Sequence, residues 1–138
     1  MAYWLIKSEP ETWSFEMHQK AGSEEWDGVR NYQARNNMRL MKLGERAFFY
    51  HSVKEQAVVG VCEVSAEAHP DSTDDTGKWD CCDFVIIRPF AKPVTLREIK
   101  AEPSLADMVL VKNSRLSVQP VRPEEWNTIC RMGETDPT

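Results

Sequence analysis

The middle of the chain carries the strongest constraint on its fold. Two apolar, aromatic and β-branched runs, Ala47 to Ser52 and Ala57 to Val64, are separated by only Val53-Lys54-Glu55-Gln56. Such a pair reads as an antiparallel hairpin with a four-residue loop, because no crossover helix fits into so short a connection. Gly60 inside the second run marks a bulge or a close backbone approach. Around the hairpin lie further short strands, Tyr3 to Ile6, Phe84 to Ile87 (stopped by Pro89 and Pro93) and Leu116 to Val121, where Pro120 implies an edge. Helices are expected over Asn31 to Met41 with Gly44 as its stop, and from Thr95 through a capping box with Glu98. Another should run from Ser104 to Val109, and a last one should open at Pro123 with Trp126, Ile129 and Cys130 on one face. Glu11 to Asp27 is irregular and polar. Helices interleaved with strands, without βαβ repetition, predict an α/β (α+β) fold: a small mixed β-barrel flanked by helices. With 138 residues, one domain over 1–138 is expected.

The charge is unevenly distributed. The formal net charge is -5, yet Arg30, Arg35, Arg39 and Lys42 fall in a stretch between Asp27 and Glu45 that has no acid. That segment carries +4 and the remainder -9. The balance excludes broad coating of nucleic acid by bulk charge but allows an anion to be oriented at one place. A solvated helix face is the bland alternative. No stretch approaches the ~20 apolar residues of a membrane span, and the amino terminus lacks a leader's apolar region, so a soluble, cytoplasmic protein without membrane contact is expected, nuclear in a eukaryote. Cys62 and Cys130 sit in apolar patterns and Cys81-Cys82 are adjacent. That spacing, with His69 upstream, matches no usual zinc pattern, so buried free thiols are expected and no metal or cofactor.

Trp26 lies among Glu24, Glu25, Asp27 and Gly28, where no period places it on an apolar face. A large aromatic in such a turn is either a plug over the core or one wall of a pocket. Trp79, at the end of the acidic loop Asp71 to Lys78, is equally ambiguous. Asn31 can cap the following helix or aim its amide at a planar ligand, while Arg30 and Arg35 flank the helix amino terminus, where free N–H groups favour anions. An aromatic beside cations suits a single nucleotide better than a duplex. His51 next to Ser52 raises nucleophilic catalysis, but no nucleophile elbow accompanies them, and the scattered glycines form no phosphate-binding loop.

Four ordered segments, Trp4-Leu5-Ile6-Lys7-Ser8-Glu9-Pro10, Trp26 through Asn36, Tyr50-His51-Ser52 and Arg115-Leu116-Ser117-Val118, resemble the EVE domain. That family belongs to the PUA-like superfamily, compact barrels flanked by helices. It is similar to the YTH domain, which reads methylated adenine in RNA, and EVE domains are implicated in recognising modified bases in DNA. The resemblance implies a non-catalytic module that holds a modified nucleotide of DNA or RNA, and nothing in the sequence demands more than a monomer. Trp26 would stack on or enclose the base, with Ser8, Asn31 and Ser52 supplying hydrogen bonds. Val29, His51, Leu116 and Ser117 would complete the base site, and Arg30, Arg35 and Arg115 would meet phosphates or close the pocket. The alternatives are a hydrolase of modified nucleosides, as in ASCH relatives, using Lys7, Glu9, His51 or Ser52, or a protein-interaction domain.

Overall fold

A computed structural model describes residues 1–138. Its strands are β1 (Tyr3–Ser8), β2 (Glu24–Glu25), β3 (Arg46–His51), β4 (Ala57–Pro70), β5 (Asp80–Thr95) and β6 (Val118–Val121), in the sheet order β2-β5-β4-β3-β1-β6. The expected hairpin is the antiparallel β3–β4 pair, joined by residues 52–56, one more than the sequence suggests. β1 runs parallel to β3 and antiparallel to β6, which forms an edge as Pro120 implies. The fold is mixed α+β. Its sheet does not close into a barrel, since no pairing joins the edges β2 and β6.

Alternation along the strands explains how one sheet supports two cores. Trp4, Ile6, Ala47 and Phe49 belong to one cluster, with Phe15, Ala34 and Met38; Leu5, Phe48 and Tyr50 belong to the other, with Ile99 and Trp126. Burial on both faces accounts for the continuous apolar run through β3. On the second face Trp126 stacks on Phe48 at 3.9 Å and on Tyr3 at 4.4 Å.

The helices are α1 (Phe15–Ala21), α2 (Tyr32–Leu40), α3 (Leu96–Ala101), α4 (Val109–Lys112) and α5 (Pro123–Met132). α2 begins as its sequence dictates, with Asn31 Oδ1 accepting from the Ala34 N–H at 2.9 Å, and buries Ala34 and Met38 one turn apart. It stops at Met41, and Gly44 serves a later turn at φ 87°. The Thr95–Glu98 capping box of α3 is present, and α5 buries Trp126, Ile129 and Cys130 as expected. The segment after α3 differs: Ser104 caps no helix, because Glu102 caps a 3-10 turn at Pro103–Leu105, and α4 follows separately. α1 lies within the stretch read as irregular. Ser14 Oγ caps it by accepting from the Met17 N–H, and its three-residue spacing of Phe15 and His18 buries both.

β5 also overruns its expected end by passing through Pro89 and Pro93. Its ladder with β4 shifts register between Val58 and Gly60 and again between Val61 and Cys62. Such irregularities accommodate residues that lack an N–H. Gly60, paired with Pro89, sits there for want of room: a Cβ would enter the Phe15 ring and stand 2.9 Å from the Arg88 carbonyl oxygen. Gly60→Ala is expected to lower stability by about 1–3 kcal/mol through overpacking, read as a lower urea midpoint with an unchanged slope.

Candidate functional site

The parallel pairing of β1 and β3 brings their carboxyl ends, Ser8 and His51, side by side. After Ser8 the chain turns back through Glu9–Trp13, the Trp13 N–H bonding to the Glu9 carbonyl at 2.8 Å while Ser8 Oγ donates to the Trp13 carbonyl. Opposite this turn, β2 leads into Trp26, whose N–H donates to the Cys82 carbonyl at 2.8 Å. Between the two lies a cavity of about 480 Å³. This is within the range of small-ligand sites, about 300–1,000 Å³.

Trp26 serves both alternatives that its sequence left open. It lines the cavity, yet only 6% of it is exposed. Its ring meets Phe49 and Phe84 edge-on at 5.3 and 5.9 Å and lies tilted beside His18 at 5.7 Å. It is therefore a floor shared between core and cavity, with little free face to offer. The half-buried Trp13 stands in the wall as well.

The sequence-derived residues divide by place. Ser8, Trp26, Val29, Arg30 and Ser117 line the cavity. Asn31 does not, because its side chain caps α2. His51 Nε2 accepts from the Phe15 N–H at 3.1 Å, so the imidazole faces α1; the Ser52 N–H donates to the Ser8 carbonyl at 2.9 Å and fixes the rim from behind. Leu116 is buried in the core, and Arg115 is exposed beside it. Sequence reading missed Trp13, Glu24, Glu25, Asp27 and Gly28 as wall residues. Nothing periodic marks them, since they lie in turns and in a two-residue strand.

The acidic loop turns out to be part of the wall's support. Asp71, 2% exposed, accepts from the Gly28 N–H at 2.9 Å, from Arg30 Nη1 at 3.1 Å, and from the Thr73 N–H at 2.8 Å. Gly28 adopts φ 76°, a left-handed conformation that suits glycine. These bonds hold the Asp71 carboxyl below its ordinary range despite burial. Trp79, at the loop's end, stacks on Tyr32 at 4.9 Å, and the guanidinium groups of Arg30 and Arg35 both lie over its ring at 5.5 Å. Arg39 pairs with Asp80 at 2.8 Å. Folding thus sets the carboxylates of Asp71 and Asp80 against two of the segment's four cations.

Behind the cavity, Trp13 Nε1–H donates to His18 Nδ1 at 2.9 Å, so His18 Nε2 carries its proton and donates to the Phe84 carbonyl at 2.7 Å. Burial pushes the His18 pKa below its ordinary 6.5. His69 behaves oppositely: its Nε2 faces Asp83 Oδ1 at 2.6 Å, and that bond raises its pKa. The signs follow from proton uptake. Below about pH 6.5 an unfolded chain protonates at position 18 while the folded one resists, so the His18 contribution is full above that pH and lost as pH falls. The His69 contribution is full below that pH and lost as pH rises through its folded value. A His69→Asn variant should therefore lose more stability than wild type between about pH 7.5 and about pH 5.5, measured by urea midpoints.

Glu25, His69 and Cys81 have ligand atoms within 4.8 Å of one another, a grouping that could hold a metal ion. Each is already partnered: Glu25 accepts from the Ser72 N–H and the Cys81 thiol, and both His69 ring nitrogens face oxygens, Asp83 Oδ1 and the Pro70 carbonyl. All four cysteines are buried and form no disulfide. Burial pushes the Cys82 and Cys130 thiols up to about 12, which makes them poor nucleophiles at neutral pH. No helix is long and apolar enough to cross a membrane.

The molecule is thus an α+β domain with an open sheet and an aromatic-floored cavity beside the carboxyl ends of β1 and β3. Residues 2–132 match the EVE domain, and the chain belongs to that family. It is 36% identical to human thymocyte nuclear protein 1, over 99% of this chain and 76% of that protein. A solved protein of Agrobacterium tumefaciens is 53% identical with a TM-score of 0.95, covering 98% of this chain and 94% of the other. A crystal structure of human THYN1 in complex with DNA containing 5-methylcytosine is 35% identical with a TM-score of 0.92, covering 99% of both chains.

Proposed function

We propose that this chain is a non-catalytic module that takes one modified nucleobase of DNA or RNA into the cavity bounded by Ser8, Trp26, Val29 and Ser117. The observation that carries this reading is the cavity itself, assembled from three motifs distant in sequence. The complex formed by the human relative supports it. Ser8 and Ser117 would hydrogen-bond the base edge, with Trp26 as floor and Trp13 as a side wall. Arg30, Arg35 and Arg115 would approach the flanking phosphates. Asn31, His51, Ser52 and Leu116 would act from behind, by holding the cavity's elements in place. One chain supplies every wall, so a monomer suffices.

The energetics favour modest discrimination. Extruding a base costs a few kcal/mol, and stacking returns about 1–3 kcal/mol. A buried methyl adds about 0.8 kcal/mol, or roughly fourfold in affinity. Oligonucleotides carrying methylated or hydroxymethylated cytosine, methyladenine or no modification should therefore separate by small factors in equilibrium titrations. Ser117→Phe, which fills the cavity, should abolish the preference. Equal binding to all of them, unchanged in that variant, would refute the reading. A hydrolase remains the second reading, because Lys7, Glu9 and Thr12 line the same cavity and burial lowers the Lys7 pKa. Turnover of acylated nucleosides that is lost in Lys7→Ala would favour it.

A further inference from the structure

The cavity wall carries more carboxylates than cations. Glu9, Glu24, Glu25 and Asp27 face it, against Lys7 and Arg30. The cations are engaged elsewhere: Arg30 by Asp71 and Thr73, and the Lys7 ammonium by the Ser114 carbonyl at 2.8 Å. Glu25 is occupied by the Ser72 N–H and the Cys81 thiol. Asp27, next in sequence to the aromatic floor, differs from Glu25. Besides burial, the main influences on it are charges, Asp71, Glu25 and Glu24 opposed by Arg30, and no hydrogen bond is among them. Desolvation and these like charges raise its pKa.

An ionised carboxylate only accepts hydrogen bonds. At this place it repels phosphate and any base edge that presents a carbonyl, and it attracts an edge that presents N–H. Carboxylates read cytosine through its exocyclic N4 amine in this way. We propose that Asp27 sets the class of base admitted, accepting from the exocyclic amine of a 4-aminopyrimidine or 6-aminopurine and rejecting the 4-oxo or 6-oxo counterpart. This rests on the base-binding reading above and adds what that reading leaves open, the edge by which the base is chosen. 5-Methylcytosine and thymine isolate it, because they share ring size and methyl group and differ only in the amine and the N3 proton. Thymine's one ring N–H lies between two carbonyls, so a carboxylate that reaches it faces at least one of them.

The test is equilibrium binding to single-stranded oligonucleotides identical except for one 5-methylcytosine or one thymine, so that no base pair has to open. The wild-type chain should prefer 5-methylcytosine by about tenfold or more. Asp27→Asn, whose amide both donates and accepts, should bind both to within about twofold. Asp27 is exposed, so this variant is expected to fold. Equal wild-type binding that Ser117→Phe abolishes would overturn the role of Asp27 and leave the cavity reading intact, as would a preference that persists in Asp27→Asn. Binding that Ser117→Phe leaves untouched would remove both.

Discussion

Trp26→Ala is expected to lower the unfolding free energy by about 3–5 kcal/mol and to abolish base binding. The first effect follows from packing, since the residue is only 6% exposed, with Phe49, Phe84 and His18 all within 6 Å centroid to centroid. Removing it leaves a cavity beneath the site that those rigid neighbours cannot fill. Against a typical total stability of about 5–15 kcal/mol the loss is large, so a shift in urea midpoint is the direct measure. Trp26→Phe keeps much of the volume and should lose clearly less. The second effect follows because the same ring is the cavity floor. A midpoint unchanged in Trp26→Ala would contradict the shared role of this residue; intact oligonucleotide binding by a folded Trp26→Phe alongside lost binding by Trp26→Ala would separate floor shape from indole chemistry.

The next largest effect is expected from Asp71→Ala, which should cost about 2–3 kcal/mol and weaken binding although Asp71 lies outside the cavity lining. The substitution leaves the Gly28 and Thr73 N–H groups without their acceptor and takes the carboxylate from the Arg30 guanidinium, which keeps only the Val29 carbonyl and the Thr73 hydroxyl as acceptors. The cost stays below that of a fully buried ion pair because the Arg30 side chain is 37% exposed. What should change most is local. Asp71 ties the wall residues 26–30 to the loop behind them, so the Gly28 amide should exchange with solvent markedly faster in the variant, while amides of β3 keep their protection. Unchanged exchange at Gly28 would mean that the wall is held by something else. Arg30→Ala serves as the comparison: it removes one charge and leaves the Gly28 and Thr73 bonds in place.

Legibility of the fold followed the range of the interactions. α2 was readable because Asn31 caps it locally and Ala34 and Met38 recur at helical spacing. The same holds for the Thr95–Glu98 box, for α5 and for the β3–β4 hairpin, each determined by residues close in sequence. α1 does not stand out in the sequence although Ser14, Phe15 and His18 carry a cap and a spacing, since one turn and a half of pattern is too short among polar neighbours. β5 passes through two prolines that locally argue for its end, because a partner strand with shifted register tolerates the missing N–H groups.

The site divides along the same line. Sequence by itself determined the motifs, the aromatic in a polar turn, the helix start beside it and the resemblance that joined them. Only the tertiary structure decided which of those residues share a surface: it left Ser8, Trp26, Val29, Arg30 and Ser117 on the cavity, and gave Asn31 to a helix cap and His51 to a backbone N–H. It also reversed the electrostatic expectation. Counted along the chain, residues 28–44 form a positive segment; in space, Asp71 and Asp80 lie against Arg30 and Arg39, and the cavity faces four carboxylates. The reason is physical: charges act through distance in space, and a loop about forty residues away in sequence is, once folded, within 3 Å or so of the arginines it neutralises.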